Sequence, residues 1–266
     1  MLSVICPIYN EAKYIDVCVQ SILLQDYPKQ QLEVLFVDGM SKDGTRDIVN
    51  NYSKQYPFIR LLNNEKRIVP VAMNIGIKAS IGDIVMRLDA HAQYPPNYFS
   101  VLVKELVRLR ADNVGVACKT DVLNKTSKTL AIREVLSNRF GVGNSTFRLG
   151  VDKVIEVDTV PFGCWKKDVF NKYGFYDERL IRNQDIELNK RIVRGGGHIF
   201  IVPDTYCTYL ARETFDGLAK NNFGNGKWNI LTVYYTKQFK SLSVRHFIPL
   251  LFLPVSYTHL RAHETC

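Results

Sequence analysis

The chain has 266 residues, of which 46% are hydrophobic and 23% charged, proportions that are ordinary for a globular protein of one large α/β domain or two small ones. Its net charge of +9 favours an anionic partner, which could be nucleic acid, a phospholipid surface or a phosphorylated substrate. The six cysteines form no C-x-x-C pair and no metal-like spacing, so we expect buried, reduced thiols and exclude a disulfide framework.

The first half alternates between strand and helix patterns. Apolar, β-branched runs predict strands, and apolar residues at helical spacing predict the segments between them. Strand–helix alternation of this kind predicts an α/β fold with a mostly parallel central sheet flanked by helices. The predicted strands are 2–8, 33–37, 58–62, 83–88 and 113–118, and the predicted helices are 15–23, 45–56, 71–79 and 96–110.

The second half is less regular. We predict a strand over 154–160, helices over 167–172 and 184–194, and a further strand over 198–202 after a glycine triplet that ends the second helix. No repeat or low-complexity linker divides the chain. We therefore expect one domain over residues 1–240, with two halves at about 1–120 and 121–240.

The segment 217–263 lacks Asp and Glu, and lysines and arginines alternate there with aromatic residues. Such a mixture suits the cytoplasmic membrane surface, although a solvated basic face that binds nothing is the alternative. We interpret 241–255 as the start of a truncated membrane segment and 256–266 as a non-native tail. No signal peptide precedes the first strand, so we expect the domain on the cytoplasmic face of the cell membrane.

Three polar segments follow predicted strands. The first is Pro7-Ile-Tyr-Asn-Glu11, where ligands of open α/β sheets bind, although Asn10 is also an ordinary helix N-cap. The second is Asp38-Gly-Met-Ser-Lys-Asp-Gly-Thr45. Asp38 can accept a hydrogen bond from a nucleobase or ribose, while an Asp-Gly pair at a strand end is commonly just a turn.

The third segment is Asp89-Ala-His91. Residues two apart in an extended chain share a face, so this carboxylate and this imidazole can reach the same ion. Such ligands suit Mn²⁺ or Mg²⁺ bound together with a diphosphate, although a lone Asp-x-His is more often structural. The fingerprint G-x-G-x-x-G is missing after the first strand, which argues against a dehydrogenase.

In order and spacing, these segments, together with Asn74-Ile-Gly76, resemble the family 2 glycosyltransferases. The resemblance implies the GT-A fold, a Rossmann-like nucleotide-diphospho-sugar transferase fold, with a nucleotide-binding half at about 1–120 and an acceptor half at about 121–240. The usual metal motif of that family is Asp-x-Asp, and here His91 replaces the second carboxylate. Residues 157–163 and the segment Arg182-Asn-Gln-Asp-Ile-Glu187 resemble in particular the exopolysaccharide glucosyltransferases of the succinoglycan type, which extend a lipid-linked saccharide at the cytoplasmic membrane.

The resemblance also implies roles for individual residues. Asp185 matches the catalytic carboxylate, which would take the proton of the acceptor hydroxyl, and the positive end of its helix favours the ionised form. A first-turn acid that only stabilises its helix is the structural alternative. Asp89 and His91 would hold the metal. The donor would be bound by Pro7, Tyr9, Asn10, Glu11, Asp38, Arg67, Asn74 and Asp89, and the acceptor by Phe162, Gly163, Trp165, Arg182 and Gln184.

The predicted function is that of a metal-dependent inverting hexosyltransferase, with UDP-glucose as the expected donor and a lipid-linked saccharide as the acceptor. The alternative is a catalytically silent GT-A domain that binds nucleotide or membrane as a scaffold. Retention of Asp38, Asp89, His91 and Asp185 together argues against a silent domain. We expect no nucleic-acid partner, because no recognition helix, zinc finger or stacking motif accompanies the positive charge.

Overall fold

The computed structural model describes residues 1–138, 146–211 and 213–242. Within these ranges one twisted sheet forms the centre of an α/β fold, and helices pack on both of its faces. The strands are β1 Leu2–Ile8, β2 Leu32–Asp38, β3 Ile59–Asn63, β4 Ile84–Arg87, β5 Ala92–Gln93, β6 Asn113–Asp121, β7 Ile155–Glu156, β8 Cys164–Lys166 and β9 Ile199–Leu210.

The helices follow the same alternation in the first half of the chain. Two short 3₁₀ turns, Lys29–Gln31 and Phe239–Ser241, complete the described elements. The α-helices are α1 Ile15–Leu23, α2 Thr45–Gln55, α3 Val69–Ala79, α4 Tyr98–Arg108, α5 Ser127–Ser137, α6 Thr146–Leu149, α7 Asp168–Tyr173, α8 Gln184–Arg194 and α9 Phe215–Thr236.

The strand order is β3-β2-β1-β4-β8-β6-β9-β5, and β7 pairs with β9. Strands β1 to β4 run parallel, as the alternation predicts. Strand β8 then enters between β4 and β6 and is antiparallel to both, so the sheet as a whole is mixed. Strands β6 and β9 resume parallel pairing beyond it.

Side chains of β1 alternate between two apolar cores, as the pleat of a strand requires. Leu2, Val4 and Cys6 belong to the core that α1 and α4 cover, and Ile5 belongs to the core beneath α3. Helix α3 lies close against this strand, since a Cβ on Gly76 would lie 2.5 Å from the Ile5 side chain. Burial on both faces is why the parallel strands read as continuous apolar runs.

The element predictions for the first half are confirmed to within two residues at nearly every boundary. In the second half the predicted strand 154–160 is wrong, because only Ile155–Glu156 pairs, along the edge of β9. The strand predicted over 198–202 extends from Ile199 to Leu210, with an irregularity between its two paired segments. Helices α5 and α9 and the short strand β8 were not predicted.

The cysteine prediction is confirmed for the described residues, where Cys6, Cys18, Cys118, Cys164 and Cys207 are free and buried. The predicted membrane segment 241–255 lies almost wholly, and the tail 256–266 wholly, outside the described residues. Across the part of the chain that is described, no helix combines the length and the hydropathy needed to cross a bilayer.

A buried pair of asparagines joins the second half of the chain to the sheet. Asn113 on β6 donates through Nδ2 to Oδ1 of Asn189 on α8 at 2.8 Å, and its own Oδ1 accepts from the Cys164 amide at 3.1 Å. Asn189 donates through its own Nδ2 to Thr159 Oγ1 and to the Val160 carbonyl, at 3.0 and 3.1 Å. Four segments are therefore held by two side chains without access to water.

We expect Asn189→Ala to lower the free energy of unfolding by about 1–3 kcal/mol, because it leaves buried donors and acceptors without partners. Urea denaturation of the variant and the wild type measures this change. Asn50→Ala, on the exposed face of α2, is the matched control and should change stability by less than about 0.5 kcal/mol. A loss for Asn189→Ala as small as that of the control would contradict the proposed importance of this network.

Candidate active site

A cleft of about 130 Å³ opens at the carboxyl ends of the parallel strands β1 to β4. Ligands of open α/β sheets bind at this edge, because the loops that leave neighbouring parallel strands all meet there. Six of the predicted site residues line the cleft together. They are Pro7, Tyr9, Glu11, Arg67, Asp89 and His91.

The turn after β1 is tied to the turn after β2 by side-chain hydrogen bonds. The Asn10 amide donates to Ser41 Oγ at 2.8 Å, and Asn10 Oδ1 accepts from the Lys42 amide at 3.0 Å. Asn10 has φ +54°, a left-handed conformation that Asn tolerates better than most residues. Its side chain therefore shapes the turn from outside the cleft, whereas Tyr9 and Glu11 face the cleft.

Asp38 is fully buried and lies outside the cleft lining. Its carboxylate accepts hydrogen bonds from the amide and hydroxyl of Ser41 and pairs with the guanidinium of Arg46. Arg46 also donates to Asn63 Oδ1 at 2.9 Å, so the same cation joins the ends of β2 and β3. These contacts organise the floor of the cleft, and direct contact of Asp38 with a nucleoside stays a prediction.

Asp89 and His91 both face the cleft, as their spacing predicts. Oδ1 of Asp89 accepts from Nε and Nη2 of Arg87 at 3.2 and 3.1 Å, and the Tyr94 hydroxyl accepts from the Asp89 amide at 2.8 Å. Among the described residues no hydrogen bond reaches Oδ2. His91 Nδ1 lies 3.4 Å from Glu11 Oε1, and the Tyr209 ring contacts the imidazole edge to face.

The charge state of His91 depends on these carboxylates. Burial by itself lowers the pKa of the imidazole, but the hydrogen bond to Glu11 and the negative charges of Asp89 and Glu11 outweigh it. The net effect is a pKa above the ordinary value for histidine, although the nearby Arg87 opposes the rise. Within the described residues, no group of three His, Cys, Asp or Glu side chains is arranged to hold a metal ion without further ligands.

Asp185 lies in the first turn of α8, half-buried, outside the lining of the cleft. Asn183 enters the helix with φ +60°, and Leu188 and Ile192 anchor the helix in the core beneath α3. The negative charge of Asp185 adds to the rise in pKa that Asp89 causes at Arg87 and that burial causes at Tyr176, so its carboxylate acts on both side chains. The helix predicted over 184–194 is confirmed.

The predicted acceptor residues separate into two groups. Phe162 has φ +58° and lies over the Arg87 guanidinium, with 5.8 Å between the Arg87 Cζ and the ring centroid. Trp165 is buried between Phe170 and Tyr176. Its indole lies against Gly163, where a Cβ would overlap with the ring. Trp165 and Gly163 thus pack as part of the core.

Arg182 and Gln184 belong to the second group, at the junction of α8 and α9. Arg182 Nη1 donates to Asn221 and Asn225 on α9 at 2.9 and 2.7 Å. Gln184 is buried, and its Oε1 accepts no hydrogen bond from the described residues. Arg182, a predicted acceptor contact, therefore also attaches the long, exposed helix α9 to the domain.

Asn74, a predicted donor contact, is also buried away from the cleft. Its Oδ1 accepts from the Tyr176 amide at 3.0 Å, and its Nδ2 donates to the Tyr176 carbonyl at 2.9 Å and to Glu178 Oε1 at 3.1 Å. Asn74 thereby fixes segment 176–178 against α3. A direct contact between Asn74 and a donor stays a prediction.

Two cleft residues with polar side chains were given no role by the sequence. Arg87 is 6% exposed and lies two residues before Asp89, so its shared face with that carboxylate was an available signal. Asn64 follows β3, donates through Nδ2 to the Ile68 carbonyl at 3.0 Å and positions the backbone around Arg67. Arg67 itself has φ +57°, and no described residue pairs with its exposed guanidinium.

The fold and the cleft define the class of protein. The structure superposes on residues 1–349 of TarS from S. aureus in complex with UDP-GlcNAc, with a TM-score of 0.63, 17% identity and coverage of 87% of this chain and 66% of that one. It also resembles a crystal structure of GalNAc-T7 with UDP, GalNAc and Mn²⁺ (TM-score 0.62, 18% identity, 80% and 44% coverage). The fold is that of the GT-A glycosyltransferases.

The family follows from the sequence comparison. Residues 3–174 match the model of glycosyl transferase family 2, and the chain belongs to this family of enzymes. It is 28% identical to the succinoglycan biosynthesis protein ExoA of Rhizobium meliloti, over 97% of this chain and 77% of that protein. It is also 28% identical, over 85% and 71% of the two chains, to a dolichyl N-acetyl-α-D-glucosaminyl phosphate 3-β-D-2,3-diacetamido-2,3-dideoxy-β-D-glucuronosyltransferase of Methanococcus voltae.

We expect Glu11→Gln to lower the pKa of His91, because the substitution removes the carboxylate that favours the charged imidazole and leaves its burial unchanged. NMR titration of the histidine side chains without added metal measures this shift. Glu156→Gln removes the carboxylate beside the distant His198 and should leave the His91 titration unchanged. An unchanged or raised His91 pKa in Glu11→Gln would show that Glu11 does not favour the charged imidazole.

Proposed function

We propose that the protein transfers a hexose, with glucose from UDP-glucose as the expected sugar, to a lipid-linked saccharide in exopolysaccharide or cell-surface glycan synthesis. One observation carries the proposal: Arg67, Asp89 and His91 face one cleft at the carboxyl ends of the parallel strands, and the charge of Asp185 acts on Arg87 in the lining of that cleft. The relatives support it, since one is named for succinoglycan biosynthesis and another for transfer to a dolichyl-linked sugar phosphate.

In the proposed donor complex, the nucleoside lies against Pro7 and Tyr9 and the diphosphate extends towards Arg67. Tyr9 is 47% exposed, and its ring offers an apolar surface for a base. The unpaired guanidinium of Arg67 can donate two parallel hydrogen bonds to phosphate oxygens. Binding between these residues directs the sugar towards Arg87 and Asp185.

The residues at the centre of the cleft fit a divalent cation that is shared with the diphosphate. Oδ2 of Asp89 is available, and the contact of Glu11 with Nδ1 leaves Nε2 of His91 as the ligating nitrogen. Two protein ligands are too few alone, so phosphate oxygens would complete the coordination of Mn²⁺ or Mg²⁺. When bound, the cation would stabilise the negative charge of the departing nucleoside diphosphate.

Asp185 is the proposed general base of an inverting transfer. Its carboxylate takes the proton of the acceptor hydroxyl as that oxygen forms a bond to the anomeric carbon and the bond to the diphosphate breaks. The N-terminus of α8 stabilises the negative charge of Asp185 before the proton arrives. In this proposal the acceptor approaches past Phe162 and Arg182. Gly163, Trp165 and Gln184 support these two residues from behind.

Helix α9 is the proposed contact with the cytoplasmic membrane surface. Its outer face presents Phe223, Ile230 and Tyr234 with exposures of 79%, 56% and 60%. These residues recur at helical spacing. On the same stripe, Lys220 precedes Phe223 and Lys227 lies between Phe223 and Ile230. Exposed rings that alternate with lysines suit an anionic lipid interface, where a lipid-linked acceptor would be presented.

The donor site is tested by titrating UDP, UDP-glucose and GDP with and without Mn²⁺. We expect metal-dependent binding of the uridine nucleotides, and a loss of roughly tenfold or more in Asp89→Ala because a metal ligand is removed. Asp185→Asn should keep donor affinity and lower transfer to lipid-linked saccharides from bacterial membranes by roughly 10²–10⁴-fold.

Asp47→Ala, which removes an exposed carboxylate on α2, is the control and should bind like the wild type. If no nucleotide binds under any condition, the donor site is refuted and the silent scaffold is favoured. Equal transfer rates for Asp185→Asn and the wild type would show that Asp185 is not the general base.

Membrane contact is tested by co-sedimentation with vesicles of phosphatidylglycerol or phosphatidylcholine. We expect binding to the anionic vesicles only. Lys227→Gln/Lys240→Gln, which removes one lysine from α9 and one from the 3₁₀ turn after it, should weaken binding roughly 30-fold, since each lysine near such a surface contributes about 1 kcal/mol. The control Lys54→Gln/Lys104→Gln removes the same charge from exposed positions on α2 and α4 and should bind like the wild type. Equal losses of vesicle binding in both double variants would show that binding depends on net charge and not on α9.

A further inference from the structure

Arg87 is a buried cation whose role extends beyond pairing with Asp89. The side chain belongs to the last residue of β4 and faces the same side of the sheet as Val85 and Ile5. Nε and Nη2 donate to Asp89, but no described residue accepts from Nη1, which is shielded from solvent. A guanidinium with an unused buried N–H is costly unless a ligand supplies the missing acceptor.

A second unused polar atom lies beside it. Tyr176 is 3% exposed, and its hydroxyl group makes no hydrogen bond of standard geometry to the described residues. Burial raises the pKa of this hydroxyl and so does the charge of Asp185, whereas Arg87 lowers it through its charge and as a close hydrogen-bonding neighbour. The backbone of Tyr176 is fixed by Asn74, and its ring packs edge to face on Trp165 with 6.5 Å between centroids. The hydroxyl is therefore held beside the Arg87 guanidinium, without a bond of standard geometry to it.

The register of the sheet explains why these groups meet. Strand β8 is antiparallel to β4, with Val85 opposite Trp165 and the Arg87 amide bonded to the Gly163 carbonyl at 3.1 Å. Because Arg87 lies two residues after Val85 on β4, the guanidinium and the indole share one face of the sheet. Indole Nε1 of Trp165 is also buried without a partner among the described residues. The Phe162 ring lies next to the guanidinium.

The chemistry of this group matches a neutral hydroxyl better than a phosphate. The charge of Arg87 is already compensated by Asp89, and the other two groups are neutral. A hydroxyl can accept from Nη1 and also donate to the Tyr176 oxygen, whereas a phosphate can only accept. The Phe162 ring beside the guanidinium adds an apolar surface against which the C–H side of a sugar ring could pack.

We propose that Arg87 and Tyr176 bind a hydroxyl group of the transferred sugar, and that Arg87 at the same time fixes the orientation of Asp89. This inference rests on the proposed function, because it places the sugar of a nucleotide-sugar donor between Asp89 and Asp185. Discrimination among donor sugars therefore depends on this pair of side chains.

The test is Tyr176→Phe, which removes only the unused hydroxyl and should leave the thermal stability unchanged. Calorimetric titration with Mn²⁺ present should show UDP-glucose affinity reduced roughly tenfold, the size of one hydrogen bond, with UDP affinity unchanged. One monodeoxy analogue of UDP-glucose should bind the wild type and the variant equally well, since it lacks the matching hydroxyl group. Arg87→Lys should weaken UDP-glucose as well and also lower kcat, because Lys cannot reproduce the two bonds to Asp89.

Tyr56→Phe, outside the cleft, is the matched control and should bind both ligands like the wild type. If UDP-glucose binds Tyr176→Phe as tightly as it binds the wild type, the inference is wrong and the proposed function stands. Equal losses for UDP and UDP-glucose would also overturn it, because the hydroxyl would then act on nucleotide binding or on the fold. Failure of UDP to bind the wild type would instead refute the proposed function.

Discussion

Parallel pairing of β1 with β2 on one side and with β4 on the other is the constraint on which the site depends. It brings the residues after Ile8, Asp38 and Arg87 to one edge of the sheet, although they lie far apart in the chain. The hydrogen bonds between the turns after β1 and β2 then leave Tyr9 and Glu11 facing the cleft. A shift of one residue in the pairing with β2 would turn Asp38 to the opposite face of the sheet, and the same shift in the pairing with β4 would turn Arg87.

Charge compensation separates the acidic residues of the site into different tasks. Asp38 is enclosed by Ser41 and Arg46 and therefore supports the floor of the cleft. Among the described residues, Asp89 is paired through Oδ1 alone, so Oδ2 is left for a cation or a ligand. Buried carboxylates need such partners, because burying an unpaired charge costs far more than any one contact returns. The arginines near the cleft thus define which carboxylates remain available.

The second half of the chain closes the site through a few buried polar contacts. Asn74 holds segment 176–178 against α3, and the pair Asn113 and Asn189 holds α8 against the sheet. These contacts place Tyr176 and Asp185 on the Arg87 side of the cleft. Helix α9 is attached more loosely, through Arg182 and the contact of Asn183 with Asn229, and most of its surface faces solvent.

The sequence by itself determined the parallel half of the sheet, because its strands are buried on both faces and its helices have clear apolar stripes. It also marked Tyr9, Glu11, Arg67, Asp89 and His91, which lie at strand ends or in the loops that follow them. Only the tertiary structure decided that Asp38 and Asn74 are enclosed by partners and that β8 is antiparallel, since short strands and buried amides carry no periodic signal. The roles of Arg87 and Tyr176 were also hidden, because the unused atoms of a buried side chain become visible only when every neighbour is in place.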